Sequence, residues 1–245
     1  MIASTGGGTQ LWDDAIRATG KIGNRVNRAR RMGFYSRYIL PKVVHLTCSM
    51  KPNMRQREKV VPLARGRVLE VGIGSGLNLS YYDPSKVTKV WGLDPSPEMT
   101  IMAKRAARSV RFEVEFIAPP GDEIPLDDDS VDTVLVTYTL CTILETEPAL
   151  REMARVLKPG GILLFCEHGA APDPAVRRWQ DAIDPIWKRL GGGCRLNREI
   201  PKLIERGGFA ITGIETMYLP GWRPAAFNYW GTAVHRRPAG ITRCT

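Results

Sequence analysis

Short apolar runs alternate along the chain with stretches in which apolar residues recur at helical spacing. Runs of this length that are rich in β-branched residues are typical of buried strands. They predict strands near 68–71, 89–93, 111–117, 132–136 and 161–166. Because helices are expected between these strands, the pattern predicts an α/β protein with a mostly parallel sheet and helices on both faces.

The last third of the chain is expected to complete this sheet. Helices are predicted over 175–190 and 197–206, and Gly207-Gly208 ends the second of them. Two final strands, over 209–218 and 227–235, are expected to form an antiparallel edge. The prediction is therefore a sheet of seven strands.

Residues 1–58 are expected to form a flexible start and an N-terminal helical lid, not a separate domain. Residues 1–10 are rich in glycine and small polar residues, which predicts a flexible start. Apolar residues recur on one helical face over 11–26, and a second apolar stretch over 34–50 contains Pro41, which is expected to kink or divide it. Packing of these helices as a lid is favoured over contact with a membrane surface. The main domain would then cover residues 59–245.

The most informative segment is the turn that follows the first predicted strand. It contains three alternating glycines, Gly72, Gly74 and Gly76. Such a turn lets a nucleoside-containing ligand approach the main chain and the positive end of a following helix, which we expect to begin here. The sixth position of the turn is Leu77, whereas a dinucleotide-binding turn has glycine there. Glu70 would repel phosphate but suits an ammonium group, so a nicotinamide-dependent dehydrogenase is disfavoured.

An acid follows the second predicted strand. Asp94 lies about 20 residues after the glycine turn, where the carboxylate of a nucleoside-binding fold accepts ribose hydroxyls. Pro95 stops the strand. Taken alone, Asp94 could be only the N-cap of a helix, but its spacing from the turn favours the ribose role.

Further segments complete a recognisable pattern. They are Glu70 to Gly76, Asp94, Gly121 to Pro125, Ser130 to Asp132 and Leu157 to Gly161. Over roughly Lys59 to His235 the chain resembles the class I S-adenosylmethionine-dependent methyltransferases. This resemblance implies a Rossmann-like fold, S-adenosylmethionine as cofactor and S-adenosylhomocysteine as product.

The resemblance also implies which residues hold the cofactor. The turn from Gly72 to Gly74 would lie against the methionine moiety, Asp94 would hold the ribose, and the backbone around Asp122 would frame the adenine. Thr137 and Leu140 would line the path to the transferable methyl group. The full expected set is Glu70, Gly72, Ile73, Gly74, Asn78, Asp94, Pro95, Ser96, Met99, Gly121, Asp122, Glu123, Thr137 and Leu140.

A narrower likeness concerns the acceptor. It rests on Leu140 to Ile143, Glu167-His168, Asp184 to Trp187 and Gly193 to Glu199. These segments are similar to the branch that contains the microsomal alkyl thiol methyltransferases and their bacterial relatives, which implies a small thiol acceptor such as hydrogen sulfide or methanethiol. The microsomal enzymes begin with a hydrophobic membrane anchor. No apolar run of about 18 residues is found here, so we expect a cytoplasmic protein without a transmembrane segment.

The length and charge of the chain limit the number of domains and the kinds of partner that it can have. With 245 residues and 43% hydrophobic content, the chain can bury the core of one full domain. The net charge of +10 raises the question of nucleic acid or an anionic membrane. No aromatic-rich RNA-binding signature is present, and residues 137–140 lack the acidic or amide residue and the two prolines of adenine-N6 methyltransferases. A solvated basic face, or a field that attracts hydrosulfide and thiolate anions, is favoured, and no nucleic-acid partner is expected.

The candidate reactive residues follow the fourth and fifth strands. His168 is the candidate catalytic base, although it could instead orient a loop or bond Glu167. Five widely spaced cysteines lack metal-binding spacing, so reduced thiols and no metal are expected. The candidate substrate contacts are Tyr35, Tyr38, Cys141, Trp187 and Tyr229, of which the aromatic residues could instead pack in the core or between helices.

Two other functions remain open from the sequence. The same fold methylates carbon or oxygen of quinones and other lipid-like acceptors, for which the apolar N-terminal helices would be an entry surface. A non-catalytic module that binds S-adenosylmethionine is the other alternative. The oligomeric state is left open.

Overall fold

The computed structural model describes residues 35–118 and 123–236. From Lys42 onward these residues belong to one compact unit, whereas residues 35–41 belong to another and are described separately. A π-helical turn, Tyr35–Ile39, precedes helix α1, Leu40–Cys48, which has Pro41 in its first turn, where a missing N–H is tolerated. Helix α2, Lys51–Val60, runs through residue 58, the expected end of the lid. The boundary between the lid and the main domain at residue 58 stays a prediction.

Seven strands form a single sheet. They are β1 Gly66–Val71, β2 Val87–Leu93, β3 Glu113–Ile117, β4 Val131–Thr137, β5 Leu157–His168, β6 Phe209–Tyr218 and β7 Phe227–His235. The remaining α-helices within the described ranges are α3 Pro97–Ala106, α4 Thr146–Val156, α5 Pro174–Leu190, α6 Ile200–Arg206 and α7 Arg223–Ala226, and short 3-10 helices cover Val61–Leu63, Leu79–Tyr81 and Ala107–Ser109. The strand order is β3-β2-β1-β4-β5-β7-β6, and β7 runs antiparallel to both of its neighbours. The predicted sheet is confirmed.

Successive side chains of a strand point to opposite sides of the sheet, and those of the inner strands enter two separate buried cores. On one face, Leu69 and Phe165 belong to a core that includes Leu150 of α4 and Ile200 of α6. On the other face, the buried strand residues share a second core with Val60 of α2. The inner strands therefore contain continuous apolar runs, such as residues 134–136 of β4 and 162–166 of β5, as expected of a parallel sheet covered on both sides. No helix within the described ranges is long and apolar enough to cross a lipid bilayer.

The prediction of a helix directly after the glycine turn is wrong. Gly76 is followed by turns and a short 3-10 segment, Leu79–Tyr81. The side chains of Asn78 and Tyr82 reach inward to the buried Glu70, and these contacts fold the chain back toward the sheet. Any cofactor at this turn therefore meets bare backbone and not the positive end of an α-helix.

Several other boundaries differ from the prediction, most of them by one or two residues. Strand β5 begins at Leu157 because that residue pairs with Val131, and a register shift separates this pair from the one between Thr133 and Ile162. Strand β3 begins at Glu113 and not at 111, and helix α6 begins at Ile200 and not at 197. These three starts do not change the strand ends that meet at the carboxyl edge of the sheet.

Candidate active site

The glycine turn lies at the carboxyl end of β1 and is left-handed at all three glycines. The φ angles are 75° at Gly72, 55° at Gly74 and 79° at Gly76. A Cβ atom at Gly72 would lie 2.2 Å from the Oγ1 atom of Thr139, so a side chain there would clash. At Gly74 the nearest atom would be the Cε of Met99, at 3.3 Å. The glycines therefore leave the backbone of the turn open to a ligand, and side chains at these positions would block that access.

The side chain of Asp94 is hydrogen-bonded directly to this turn. Its Oδ2 accepts a hydrogen bond of 2.9 Å from the amide of Gly74, and its Oδ1 accepts one of 2.8 Å from Ser96. Ser96 is the N-cap of α3, because its hydroxyl accepts from the amide of Met99. The capping role considered for Asp94 thus belongs to Ser96, while Pro95 is exposed. Burial raises the pKa of Asp94, and each of its oxygens keeps a lone pair for a ribose hydroxyl.

A buried polar network lies behind the turn. The Nη1 atom of Arg57 donates to Asn78 Oδ1 and to Thr137 Oγ1, each at 2.7 Å. Asn78 Nδ2 donates to one oxygen of Glu70 at 2.8 Å, and the hydroxyl of Tyr82 donates to the other at 2.7 Å. Both carboxylate oxygens of Glu70 therefore have partners, and its contact with a methionine ammonium group stays a prediction.

Burial raises the pKa of Glu70 to about 7, although hydrogen bonds from Tyr82 and Asn78 and the charge of Arg57 oppose that rise. Arg57 was not among the predicted residues. It lies in α2, in a polar segment that carries no motif, and only the tertiary fold brings it to the carboxyl end of β4.

The chain turns sharply after β4. Tyr138 is left-handed, with a φ of 54°, a conformation that is rare outside glycine. The amides of Thr139 and Leu140 then donate to Oε1 of Glu167, at 2.7 and 3.0 Å. Burial raises the pKa of Glu167 to about 7, against the effect of these amides. Glu167 thus fixes the loop that holds Leu140, a residue expected near the methyl group.

Three side chains from separate segments meet beside this loop. The Sγ atoms of Cys141 and Cys194 and a ring nitrogen of His168 all lie within 4.8 Å of one another. The Nε2 atom of His168 lies 3.2 Å from the Sγ of Cys194, and the indole N–H of Trp187 donates to the same sulfur at 3.3 Å. The Nδ1 atom of His168 is buried without a hydrogen-bond partner among the described residues. Of the predicted residues, the structure therefore brings Cys141, His168 and Trp187 together.

The thiols and the imidazole shift one another's pKa values. A hydrogen bond with Cys141 lowers the pKa of Cys194 to about 4, burial opposes this, and the charge of His168 supports it. Burial alone would lower the pKa of His168, but Cys194 raises it above its ordinary value. The four cysteines within the described ranges are free thiols.

Cys194 was missed by the sequence prediction because no local spacing links it to Cys141 or His168. Its position depends on a glycine-rich turn after α5, in which Gly192 and Gly193 are left-handed. The amide of Arg195 donates to the carbonyl of Cys141 at 3.0 Å. This contact joins the segment after α5 to the loop after β4.

The other predicted residues are placed as follows. Ile73 is buried, and Glu123 is exposed at the end of the loop after β3. Gly121 and Asp122 lie outside the described residues, so the adenine contact stays a prediction. The hydroxyl of Tyr229, in β7, donates to the carbonyl of Ala170. The relation of Tyr35 and Tyr38 to the site also stays a prediction, because residues 35–41 belong to the other unit.

Known proteins resemble both the sequence and the fold. A family model described as a methyltransferase domain matches residues 69–165. Thiol S-methyltransferase TMT1B of Homo sapiens is 34% identical over 203 residues, which cover 80% of this chain and 82% of the relative. Demethylmenaquinone methyltransferase of Clavibacter sepedonicus is 34% identical over 122 residues, covering 50% of this chain and 49% of the relative.

A solved structure supports the fold alone. A SAM-dependent methyltransferase of Thermotoga maritima, described as a possible histamine N-methyltransferase, aligns with a TM-score of 0.58 at 21% identity. The alignment covers 82% of this chain and 99% of that one. With the glycine turn bonded to Asp94 at the carboxyl edge of the sheet, these findings define the protein class. The chain belongs to the class I S-adenosylmethionine-dependent methyltransferases, enzymes that use S-adenosylmethionine as methyl donor.

Proposed function

We propose that this enzyme methylates the sulfur of a small thiol, such as hydrogen sulfide or methanethiol. One observation carries the proposal: the imidazole of His168 meets the thiols of Cys141 and Cys194 beside the loop after β4. Such a group of soft and basic side chains suits an acceptor sulfur. The likeness to a thiol S-methyltransferase over most of both chains also supports the proposal.

The residues around the cofactor suit a displacement controlled by positioning. S-adenosylmethionine supplies a methyl group on a positively charged sulfur. Asp94 and the glycine turn would hold its nucleoside, and Glu167 keeps the loop after β4 in place. Alignment of the acceptor lone pair with the methyl group can then supply much of the rate. Because a free thiol has a pKa of about 8.5, an appreciable fraction is already thiolate and no strong base is required.

The packing of the loop after β4 favours a small acceptor. Leu140 and Cys141 are 0% and 2% exposed. Arg198 donates to the carbonyls of Leu140 and Ile143, at 2.8 and 2.6 Å, so the loop is held from both ends. A bulky acceptor that reached this loop would have to displace these contacts.

The proposal is tested by transfer of a labelled methyl group from S-adenosylmethionine to a panel of acceptors. The panel contains sulfide, methanethiol, larger thiols, a quinol and RNA. We expect methylation of the small thiols and none of RNA. Methylation of the quinol alone would overturn the proposal and support the alternative function suggested by the demethylmenaquinone methyltransferase relative.

A further inference from the structure

We propose that Cys141, His168 and Cys194 bind a zinc ion whose remaining coordination position takes the acceptor thiol. The proposal rests on the thiol methylation proposed above and adds to it a metal site. It starts from geometry, because the two sulfur atoms and the imidazole nitrogen all lie within 4.8 Å of one another. They come from three distant segments that the fold brings to one point.

The donor set and its spacing fit zinc. Thiolate sulfur and imidazole nitrogen are the ligands that zinc prefers in proteins, and two Cys with one His form a known type of catalytic site. Zinc distances of about 2.3 Å to sulfur and 2.0 Å to nitrogen separate tetrahedral ligand atoms by roughly 3.5 to 3.8 Å. The observed 3.2 Å between His168 Nε2 and Cys194 Sγ needs a change of only a few tenths of an ångström.

The surroundings hold the sulfur of Cys194 in place as a ligand. The indole nitrogen of Trp187 is a donor only, and it points its N–H at this sulfur, which therefore acts as an acceptor. Hydrogen bonds to ligand atoms from a second layer of residues are a regular feature of metal sites. The bond from Arg195 to the carbonyl of Cys141 fixes the two cysteine segments against each other.

Three protein ligands leave the fourth tetrahedral position for a substrate. His168 and Cys194 are each partly exposed, whereas Cys141 is buried. An acceptor thiol that binds there gives its proton to solvent, because zinc deprotonates a coordinating thiol outright. The zinc-bound thiolate then has a lone pair for the methyl group.

The charges and atoms of the transfer balance. A lone pair of the thiolate sulfur forms the new bond to the methyl carbon, while the bond between that carbon and the sulfonium sulfur breaks. The negative thiolate and the positive sulfonium become a neutral thioether and neutral S-adenosylhomocysteine. Zinc keeps its charge and its three protein ligands. His168 acts in this scheme as a ligand, and no protein base is needed.

The first test is metal analysis of the full chain, purified under reducing conditions without chelator. We expect about one zinc ion per chain, as in a mononuclear catalytic site. Cys141→Ser and Cys194→Ser should lose most of this zinc. Cys166→Ala is the matched control, because Cys166 is a buried free thiol in the same strand as His168 but outside the cluster, and it should keep the metal. A chain that holds no zinc, even after zinc is added, would overturn the proposal.

The second test uses the wild-type chain with cobalt in place of zinc, so that it does not depend on whether the variants fold. We expect the visible bands of tetrahedral cobalt with thiolate ligands, and a change in these bands when methanethiol is added. Unchanged bands would overturn coordination of the acceptor.

The two proposals fail in different ways. A metal-free chain that methylates methanethiol at the rate of the zinc-loaded chain would overturn the coordination of the acceptor by zinc and leave the thiol methylation standing. A chain that binds zinc but methylates only a quinol would overturn both the thiol acceptor and its coordination.

Discussion

The guanidinium group of Arg57 donates a hydrogen bond of 2.7 Å to the hydroxyl of Thr137, which ties helix α2 to the carboxyl end of β4. The same nitrogen bonds Asn78, and the guanidinium lies 5.2 Å from the ring centre of Tyr138. A buried cation therefore joins the glycine turn to the loop after β4. This arrangement makes α2 part of the structure that supports the site.

Substitution of Arg57 should weaken the whole domain. In Arg57→Leu, Asn78 and Thr137 lose a charged donor in a buried place, so we expect the free energy of unfolding to fall by about 2 to 3 kcal/mol. Urea unfolding measures this change. Arg55→Leu is the matched control, because Arg55 lies in the same helix and is exposed. Equal losses in the two variants would contradict the structural role of the network.

Cofactor binding should depend on Asp94 and Gly74. Asp94→Ala removes charged hydrogen bonds and should weaken binding of S-adenosylhomocysteine at least about tenfold. Gly74→Arg should weaken it as well, because the left-handed backbone disfavours a side chain that would also fill the approach. Calorimetric titration measures both constants. Asp127→Ala, in an exposed loop, should bind as the wild type does, and unchanged binding in the first two variants would refute the site.

The pH dependence of stability should contain a contribution from Glu70. Burial raises its pKa from 4.5 to about 7 in the folded chain, so the folded state binds this proton more tightly than the unfolded state. The resulting stabilisation is present below pH 4.5 and is lost as the pH rises through 7.

Glu70→Gln removes this titration and leaves the other acids in place. The difference in unfolding free energy between wild type and variant should therefore fall by about 3 kcal/mol between roughly pH 4 and pH 8. Denaturant unfolding at a series of pH values gives this difference. A constant difference would show that Glu70 is not protonated preferentially in the fold.

Glu167 should act through the loop after β4. Glu167→Ala removes the acceptor of the Thr139 and Leu140 amides, and we expect a loss of about 2 kcal/mol in unfolding free energy together with slower methyl transfer. Glu167→Gln keeps an oxygen at the Oε1 position, and the buried Oε2 that it replaces has no partner among the described residues. The Gln variant should therefore recover most of both losses, and a Gln variant as impaired as Ala would argue against this role.

Much of the fold could be predicted because its signals are local. Glycine at positions that need a left-handed backbone, an acid after β2 and apolar runs at strand spacing are each visible within a few residues. The order of these segments sufficed to predict the sheet and its antiparallel edge, while the class of enzyme was implied by the resemblance to a known family. The helix expected after the turn was wrong because contacts from Asn78 and Tyr82 to Glu70 outweighed the local pattern.

Local sequence signals were enough to predict the succession of strands along the chain, the turn that suits a nucleoside and the acid that follows it. Tertiary contacts were needed to place Arg57 on the cofactor side of the sheet and to bring Cys194 to Cys141 and His168. The physical reason is that strand periodicity and turn chemistry are properties of neighbouring residues. Contacts between distant segments form only when the sheet has brought its strand ends to one edge. The spacing of residues along the chain does not predict which of these segments will meet.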